Sequence, residues 1–569
     1  MEWPHCYINL PNQRHCHKLP RNSTPNTPIT TLPIWTTYTS PSHTHKPRRS
    51  CSKPPSYSAR RVSPSTPPKP KSTNHNTDNT TNSPPQLQTL LVTSLKCLGC
   101  YIAPRQSQRD DDAQGWGCTN DALTAVTARL THQIDNLIRL TQKHDLPKHT
   151  AIPLLRYMTT GAAQHILRTG LPSQTLIHQY DQLVKHAWET LTETTFTEHQ
   201  WLQAQWPLAQ GGLAPGTIQH RHMAAYIAGT HATLHNTTRQ LHLQTVQTLL
   251  TQQPHLKQTL QHATQHIKTL IPSTQHRKLH LHTWEGPVLP PPPSQQRTLT
   301  RAIHNHQRYQ HLKTLEDSQE AQDHRHASRI RSASGPGAGA WLLQPTHALH
   351  RITDADLTAA IRRRLGTSWH TSPHSNPPHQ RCQHRSLRGG PICNTTLDPS
   401  GVHCHTCNLG GHHTTRHDTL VNYLHTETTQ PLHLTCTKEQ HQTPSTGHQD
   451  DRMDLVLNLN GETLNIDVAI VSTYTTQPDL QRTRARHDGH PSKAEATRKQ
   501  TRYPTHRVLP FIMEDLGRPG KHALSLIRTL ASHHPDKTPS EAATHMWQSI
   551  QAIVQSHTSH ICRTAERSS

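Results

Sequence analysis

The fold is decided by residues 452–474, RMDLVLNLNGETLNIDVAIVSTY, in which two runs of alternating apolar residues flank Asn460-Gly461. An Asn-Gly pair between such runs predicts a β-hairpin with a two-residue loop, because both loop positions need a positive φ. In the register that this loop sets, Asp454 faces Asp467 across the two strands. The sequence therefore predicts a hairpin that brings two aspartates together.

Directly opposed residues in an antiparallel pair share one face of the sheet, with Cβ atoms about 5 Å apart. Two carboxylates held so close repel each other unless a cation lies between them. Mg²⁺, or Mn²⁺ in its place, binds one or two carboxylates together with water and phosphate oxygens, which is the donor set of a phosphodiester-cleaving site. The alternative is that Asp454 and Asp467 lie on a solvated face, opposite the apolar residues of both strands. The hairpin alone favours neither alternative.

The residues after the hairpin supply two further candidates for catalysis. Ser492 to Glu495 has the form of a capping box that opens a helix, and Lys499 follows Glu495 by one turn on the same side. Lys499 is a candidate because a cation near the metal stabilises the charge that builds on a cleaved phosphate. Glu495 is the second candidate, with a purely capping role as its alternative.

The remaining C-terminal residues predict one strand and two helices. VLPFIM, residues 508–513, reads as a buried strand that ends at Glu514, and helices are predicted at 521–532 and 540–557. A hairpin followed by helix, strand, helix and helix predicts an α/β domain.

A cluster of cysteines and histidines occupies residues 393–418, CNTTLDPSGVHCHTCNLGGHHTTRHD, with turn signals at DPSG and GG. Tetrahedral zinc needs four nitrogen or sulfur ligands brought together by tight turns. Histidine is common throughout this chain, with 53 in 569 residues, so the cysteines and the turns are what favour zinc. The preferred ligands are Cys393, His403, Cys407 and His417. Cys382 competes with Cys393 for the first place in this set.

The composition indicates a polyanionic partner. Lys and Arg number 58 against 36 Asp and Glu, which gives a formal net charge of +22 and favours nucleic acid. Biased codon usage, visible in the abundance of His, Thr and Gln, is the alternative explanation. No run approaches the ~18 apolar residues of a membrane span, and the first residues lack a charged-then-apolar signal pattern. The expected partner is therefore nucleic acid and not a membrane.

The hydrophobic fraction of 31% indicates that folded material is local. Composition and hydrophobic periodicity divide the chain into six predicted segments. These are a disordered Pro/Ser/Thr-rich leader at 1–85, an all-α region at 86–235, a polar helical and Pro-rich linker at 236–340, a connector at 341–380, a zinc knuckle at 381–425 and the α/β domain at 426–569.

The connector carries three candidate nucleic-acid-binding residues. A helix predicted from Asp354 to Leu365 ends in Arg362, Arg363 and Arg364, which are expected to contact phosphate. A solvated helix end favoured by the helix dipole is the alternative.

Taken together, these motifs resemble the zinc knuckle and restriction-like endonuclease at the C-terminus of early-branching non-LTR retrotransposon proteins. The motifs are LDPSGVHCHTC and RHD in the knuckle, then Asp454-Leu455, Ile466-Asp467-Val468, Glu495 with Lys499, and PFIMEDLG. Upstream, LPKHTAIPLLRYMTTGAAQHILR and QWPLAQGGLAP resemble the thumb region after a reverse transcriptase palm, and AGAWLLQP resembles the connector before the knuckle. Such nucleases belong to the PD-(D/E)xK group. This sequence departs from the pattern at two positions: Met453 stands where the family usually has Pro, and Ala469 stands where the group often has Lys.

The resemblance implies an all-α thumb-like domain, a zinc knuckle and an α/β restriction-endonuclease-like C-terminal domain, behind a disordered N-terminus. It implies that Asp454 and Asp467 bind Mg²⁺ or Mn²⁺, that Lys499 is catalytic, and that the enzyme nicks DNA for target-primed reverse transcription. No aromatic-flanked Asp-Asp motif of a polymerase palm occurs, so a truncated protein without reverse transcriptase activity is expected. DNA and RNA are the implied partners and the nucleus is the implied location. A catalytically inactive nucleic-acid-binding remnant is the alternative.

Overall fold

The computed structural model describes residues 95–97, 100–102, 117–281, 284, 288–367, 380–386, 390–398, 401–441, 452–503 and 507–566. The leader predicted to be disordered, 1–85, lies outside these ranges. The described part is mostly helical, with one four-stranded mixed sheet towards the C-terminus. None of the described helices is long and apolar enough to cross a membrane.

Before the predicted zinc-ligand segment, residues 381–425, the described elements include two short strands and twelve α-helices. They are β1 (Leu95–Cys97), β2 (Cys100–Ile102), α1 (Gly117–Gln142), α2 (Lys148–Ala162), α3 (Gln164–Thr169), α4 (Gln174–Thr192), α5 (Glu198–Gln205), α6 (His222–Gln240), α7 (Val246–Gln252), α8 (Pro254–Thr269), α9 (Ser273–His276), α10 (Gln295–Asp317), α11 (Ala321–Ser332) and α12 (Asp354–Leu365).

The elements from the zinc-ligand segment onward form the C-terminal region. They are α13 (Val402–Thr406), α14 (His412–Tyr423), β3 (Cys436–His441), β4 (Arg452–Leu459), β5 (Glu462–Val471), α15 (Pro478–Arg486), α16 (His490–Arg502), β6 (Val508–Glu514), α17 (Lys521–Ser532) and α18 (Pro539–Glu566). The predicted order of hairpin, helix, strand, helix and helix is present, with an extra strand before the hairpin and two helices between β5 and β6.

The predicted all-α region has the expected helical core. On α1, Leu123, Leu130 and Ile134 are at most 1% exposed, as their spacing of three and four residues predicts. Trp188 of α4 and Trp341 of the connector are also almost fully buried in the same core. The connector therefore packs into the helical region that precedes it in the sequence.

The prediction of a linker at 236–340 differs from the structure, in which α7, α8 and α10 pack around a second core. On α8, Leu260 and Ile267 are fully buried although Gln, His and Thr surround them in the sequence. The composition did not predict this core, because a helix that is polar overall can still have one buried stripe of apolar residues at helical spacing. Leu299 and Ile303 of α10 complete the packing.

The sheet has the strand order β3-β4-β5-β6, in which β4 is antiparallel to both β3 and β5, and β5 is parallel to β6. The β4–β5 hairpin has the predicted register, in which Leu455 pairs with Ile466. The parallel pairing of β5 and β6 requires a crossover, which α15 and α16 provide. Leu457, Ile466 and Phe511 lie on the face that packs against α17 and α18. This face is the main core of the C-terminal region.

The hairpin loop confirms the sequence argument, because Asn460 has φ 53° and Gly461 has φ 79°. Replacing Gly461 with alanine should lower the free energy of unfolding by about 1 kcal/mol, since L residues with a Cβ disfavour this conformation. A Cβ at this position would meet no atom within 4 Å, so the cost is conformational and not steric. Urea unfolding of the variant measures it. Gly461→Asn is the matched control and should cost less than alanine, because Asn tolerates a positive φ; equal costs would contradict the conformational explanation.

Candidate functional site

Two aspartates meet on the sheet face opposite the leucine-rich core. Asp454 of β4 and Asp467 of β5 are next in the register after the Leu455–Ile466 pair, and the carboxyl group of Asp454 acts to raise the pKa of Asp467. One oxygen of Asp454 also accepts a hydrogen bond from the backbone N–H of Val468 at 2.7 Å. Asp467 is only 7% exposed, so the alternative that both aspartates are solvated does not hold for Asp467, whereas Asp454 is partly exposed.

Each aspartate has a cationic partner from a different helix. Lys499 of α16 is buried, and its Nζ contacts Oδ1 of Asp467. His417 of α14 lies with Nε2 3.3 Å from Oδ2 of Asp454. Two helices therefore place two basic groups beside the paired carboxylates.

The environment separates the pKa values of the two acids. Burial raises the pKa of Asp467, although the charge of Lys499 acts in the opposite direction. Burial also acts to raise the pKa of Asp454, but hydrogen bonds from His417 and from the Val468 N–H outweigh it and lower that pKa. The hydrogen bond with Asp454 raises the pKa of His417 to about 9, so its imidazole is cationic at neutral pH.

A second group consists of one histidine and three cysteines whose ligand atoms all lie within 4.8 Å of one another. The four residues are Cys382, Cys393, His403 and Cys407. The sulfurs of Cys382 and Cys407 are 3.8 Å apart, and Sγ of Cys393 is 3.3 Å from Nε2 of His403. A tetrahedral zinc with Zn–S bonds of ~2.3 Å separates its sulfur ligands by about 3.8 Å. The donor set and its spacing therefore fit Zn²⁺.

Backbone hydrogen bonds place the first two ligands. The N–H of Cys382 donates to the carbonyl of Thr395 at 2.8 Å, and the N–H of Cys393 donates to the carbonyl of His384 at 2.9 Å. These bonds hold two short antiparallel segments together. Both thiols therefore belong to one small ladder, two residue pairs apart.

A single helical turn places the other two ligands. His403 and Cys407 are four residues apart on α13 and at its C-terminal cap, so their side chains lie on the same side. The carboxylate of Asp398 accepts from the backbone N–H groups of Val402 and His403 at 3.0 Å each, which fixes the start of the helix.

The structure changes one member of the predicted zinc set. Cys382 was expected to compete with Cys393, but both cysteines belong to the group. His417 is not part of it, because α14 carries this residue to Asp454. The sequence signal for Cys382 is the Gly389-Gly390 pair, which favours a turn between the two cysteines.

The predicted capping box at Ser492 is also not observed. Helix α16 begins at His490, two residues earlier, and the hydroxyl of Ser492 donates to Glu514 at 2.9 Å. Glu495 forms an ion pair with Arg498 at 2.6 Å and does not cap the helix. Of the two predicted candidates on α16, only Lys499 contacts the aspartates.

The three arginines predicted to bind nucleic acid are mainly structural. Arg364 is 2% exposed and donates to the backbone carbonyls of Gly212 and Leu208 at 3.2 and 2.6 Å. Arg363 is 5% exposed and contacts side chains of α18. Arg362 is half-buried and donates to a backbone carbonyl. The helix was predicted correctly, but Arg363 and Arg364 in its last turn face protein and not solvent.

A buried ion pair that sequence reasoning missed joins the zinc-ligand segment to the sheet. Nδ1 of His405 lies 2.6 Å from Oδ2 of Asp515, and both side chains are at most 2% exposed. Burial acts to lower the pKa of His405, but the charge of Asp515 outweighs it and raises that pKa to about 9. The pair fixes α13 against the end of β6.

A scan of the sequence against protein-family models found no match, and a search of the curated proteins found no similar protein. Function is therefore assigned from the geometry of the described residues. The carboxylate pair and the Cys/His group are the two arrangements that carry the assignment.

The Cys/His group should bind close to one zinc ion per chain. Replacing Cys382 or Cys393 with serine removes a thiolate ligand, so zinc content measured by mass spectrometry on purified protein should fall strongly. His417→Ala is the matched control and should retain zinc. Loss of zinc in the His417 variant with full retention in the Cys382 variant would contradict this ligand set.

Proposed function

We propose that the chain is a divalent-metal-dependent DNA endonuclease of the restriction-like type, with a structural zinc knuckle beside the nuclease sheet. The observation that carries the proposal is the pairing of Asp454 and Asp467 on a covered face of the sheet, with Lys499 in contact with one of them. Two acids and a lysine at one point are the functional groups that metal-assisted phosphodiester cleavage requires.

The donor set at the paired aspartates fits a hard divalent cation. Mg²⁺ and Mn²⁺ accept one or two carboxylates and complete their coordination with water and phosphate oxygens. Asp454 and Asp467 would hold such an ion. A bound ion would lower the pKa of a coordinated water and stabilise negative charge on the phosphate.

Lys499 has two roles in this proposal. Its ammonium group favours the ionised form of the buried Asp467, since the positive charge opposes the effect of burial, which raises the pKa of this aspartate. It also provides a positive charge beside the position of the scissile phosphate, where negative charge increases during cleavage. His417 holds Asp454 in place through the hydrogen bond to Oδ2.

Helix α16, which carries Lys499 to the carboxylate pair, also supplies basic residues for DNA. Lys493 and Arg502 of this helix are exposed. Such cations attract the phosphate backbone irrespective of its sequence, and the attraction weakens with salt. Within this proposal the nick serves target-primed reverse transcription, as the resemblance implies. The proposal includes no polymerase activity for this chain.

A catalytically inactive nucleic-acid-binding protein is the second candidate. The observation that favours it is the ion pairing of the site, because Asp467 contacts Lys499 and Asp454 contacts cationic His417. Together with Asp418, whose carboxylate lies 3.0 Å from Nδ1 of His417, these groups form an ionic network that requires no metal. In that case the basic residues of α16 would still bind DNA or RNA.

Nicking of supercoiled plasmid by the zinc-loaded full chain separates the two candidates. The wild-type chain should nick in the presence of Mg²⁺ or Mn²⁺, and Asp467→Asn should lower the rate at least about 100-fold because one carboxylate ligand is lost. Asp454→Asn should have a similar effect and tests the same pair at a more exposed position.

Glu462→Gln is the matched control, since Glu462 is an exposed acid at the tip of the same hairpin and pairs with Arg507. This variant should nick at the wild-type rate. Nicking that survives both aspartate substitutions would place the active site elsewhere. A folded, zinc-loaded wild-type chain that binds plasmid without nicking it would establish the inactive binding protein.

A further inference from the structure

A cleft of about 660 Å³ lies in the helical region, away from the residues of the carboxylate pair and the Cys/His group. Its walls are α3, the segment that leads into α6, and the start of α10. A hydrogen bond of 2.7 Å between the side chains of Gln164 and Gln296 joins two of these walls. The volume falls within the usual range of small-molecule sites.

The charge of the cleft lining is entirely positive. Four arginines line it, and neither Asp nor Glu is among its lining residues. Arg168 and Arg301 are exposed at the cleft, and neither forms an ion pair with any residue in the described ranges. A concave surface with this charge concentrates anions.

The N-terminus of α10 also faces the cleft. Ser294, Gln295 and Gln296 line it, and the first backbone N–H groups of this 23-residue helix receive no side-chain cap and have no acidic residue beside them. The first N–H groups of a helix have no acceptor within the helix and carry partial positive charge. Phosphate is the ligand that such helix starts most often bind.

One buried donor at the cleft has no hydrogen-bond acceptor. Arg221 is 9% exposed and lines the cleft. The guanidinium of Arg221 binds three backbone carbonyls, yet its Nε has no partner. A buried donor without an acceptor is costly, which points to a ligand that accepts hydrogen bonds.

The geometry points to a binding site for the phosphate group of a nucleotide, either free or at the end of a nucleic-acid strand. The arginines and the start of α10 bind the phosphate, and the apolar side chains of Ala228, Ala232 and Pro291 contact the sugar and base. His220 and His304 line the cleft as neutral imidazoles, because burial lowers the pKa of each to about 4. The positive charge of the site therefore comes from arginine and persists at neutral pH.

Calorimetric titration of the full chain tests the proposal. Adenosine 5′-monophosphate or a 5′-phosphorylated thymidine hexamer should bind, whereas adenosine and the 5′-hydroxyl hexamer should bind at least about tenfold more weakly. Binding of the mononucleotide alone identifies a free nucleotide as the ligand, and binding of the hexamer alone identifies a strand end. Failure of both phosphorylated probes to bind overturns the proposal.

The Arg168→Gln, Arg301→Gln double variant should weaken binding of the phosphorylated probe at least about tenfold. Lys313→Gln is the matched control, since it removes one exposed positive charge from the same helix outside the cleft, and it should bind as the wild type does. Unchanged binding by the double variant overturns the proposal. Asp467→Asn should leave binding intact, so the outcome is independent of the proposed nuclease.

Discussion

The C-terminal region depends on holding two like charges together. The two-residue loop at Asn460-Gly461 fixes the register, and the register places Asp454 beside Asp467. Two unit charges about 5 Å apart repel by about 3 kcal/mol at an effective dielectric constant near 20. Lys499 and His417, which approach from α16 and α14, offset this repulsion. The positions of both helices are thus coupled to the hairpin.

The same constraint connects the Cys/His group to the aspartates. Helix α14 begins five residues after Cys407 and carries His417 to Asp454, while His405 on α13 binds Asp515 at the end of β6. The zinc-ligand segment therefore contacts the sheet at two points through ionisable pairs. A zinc ion that stabilises this segment would also stabilise the geometry of the carboxylate pair.

The sequence predicted those elements whose formation depends on residues that are neighbours in the chain. The hairpin followed from two positive-φ positions, and the helix from Asp354 to Leu365 follows from a side-chain cap at Thr353 and a left-handed Gly366. The partners that lie far apart in sequence were not predictable in this way. His417 looked like a zinc ligand because it follows the cysteines closely, and its contact with Asp454 depends on the direction of α14. Arg364 looked exposed because nothing in its helix reveals the carbonyls that it binds.

Binding of Mn²⁺ to the zinc-loaded full chain, measured by electron paramagnetic resonance, tests the central claim directly because it does not depend on catalysis. The account predicts that about one Mn²⁺ binds per chain and that Mg²⁺ displaces it. It further predicts that a variant with asparagine at both 454 and 467 loses this binding while its zinc content stays unchanged. Equal Mn²⁺ binding by the wild-type chain and this double variant, or no binding by either, would show that the paired aspartates form a closed ionic network and not a metal site.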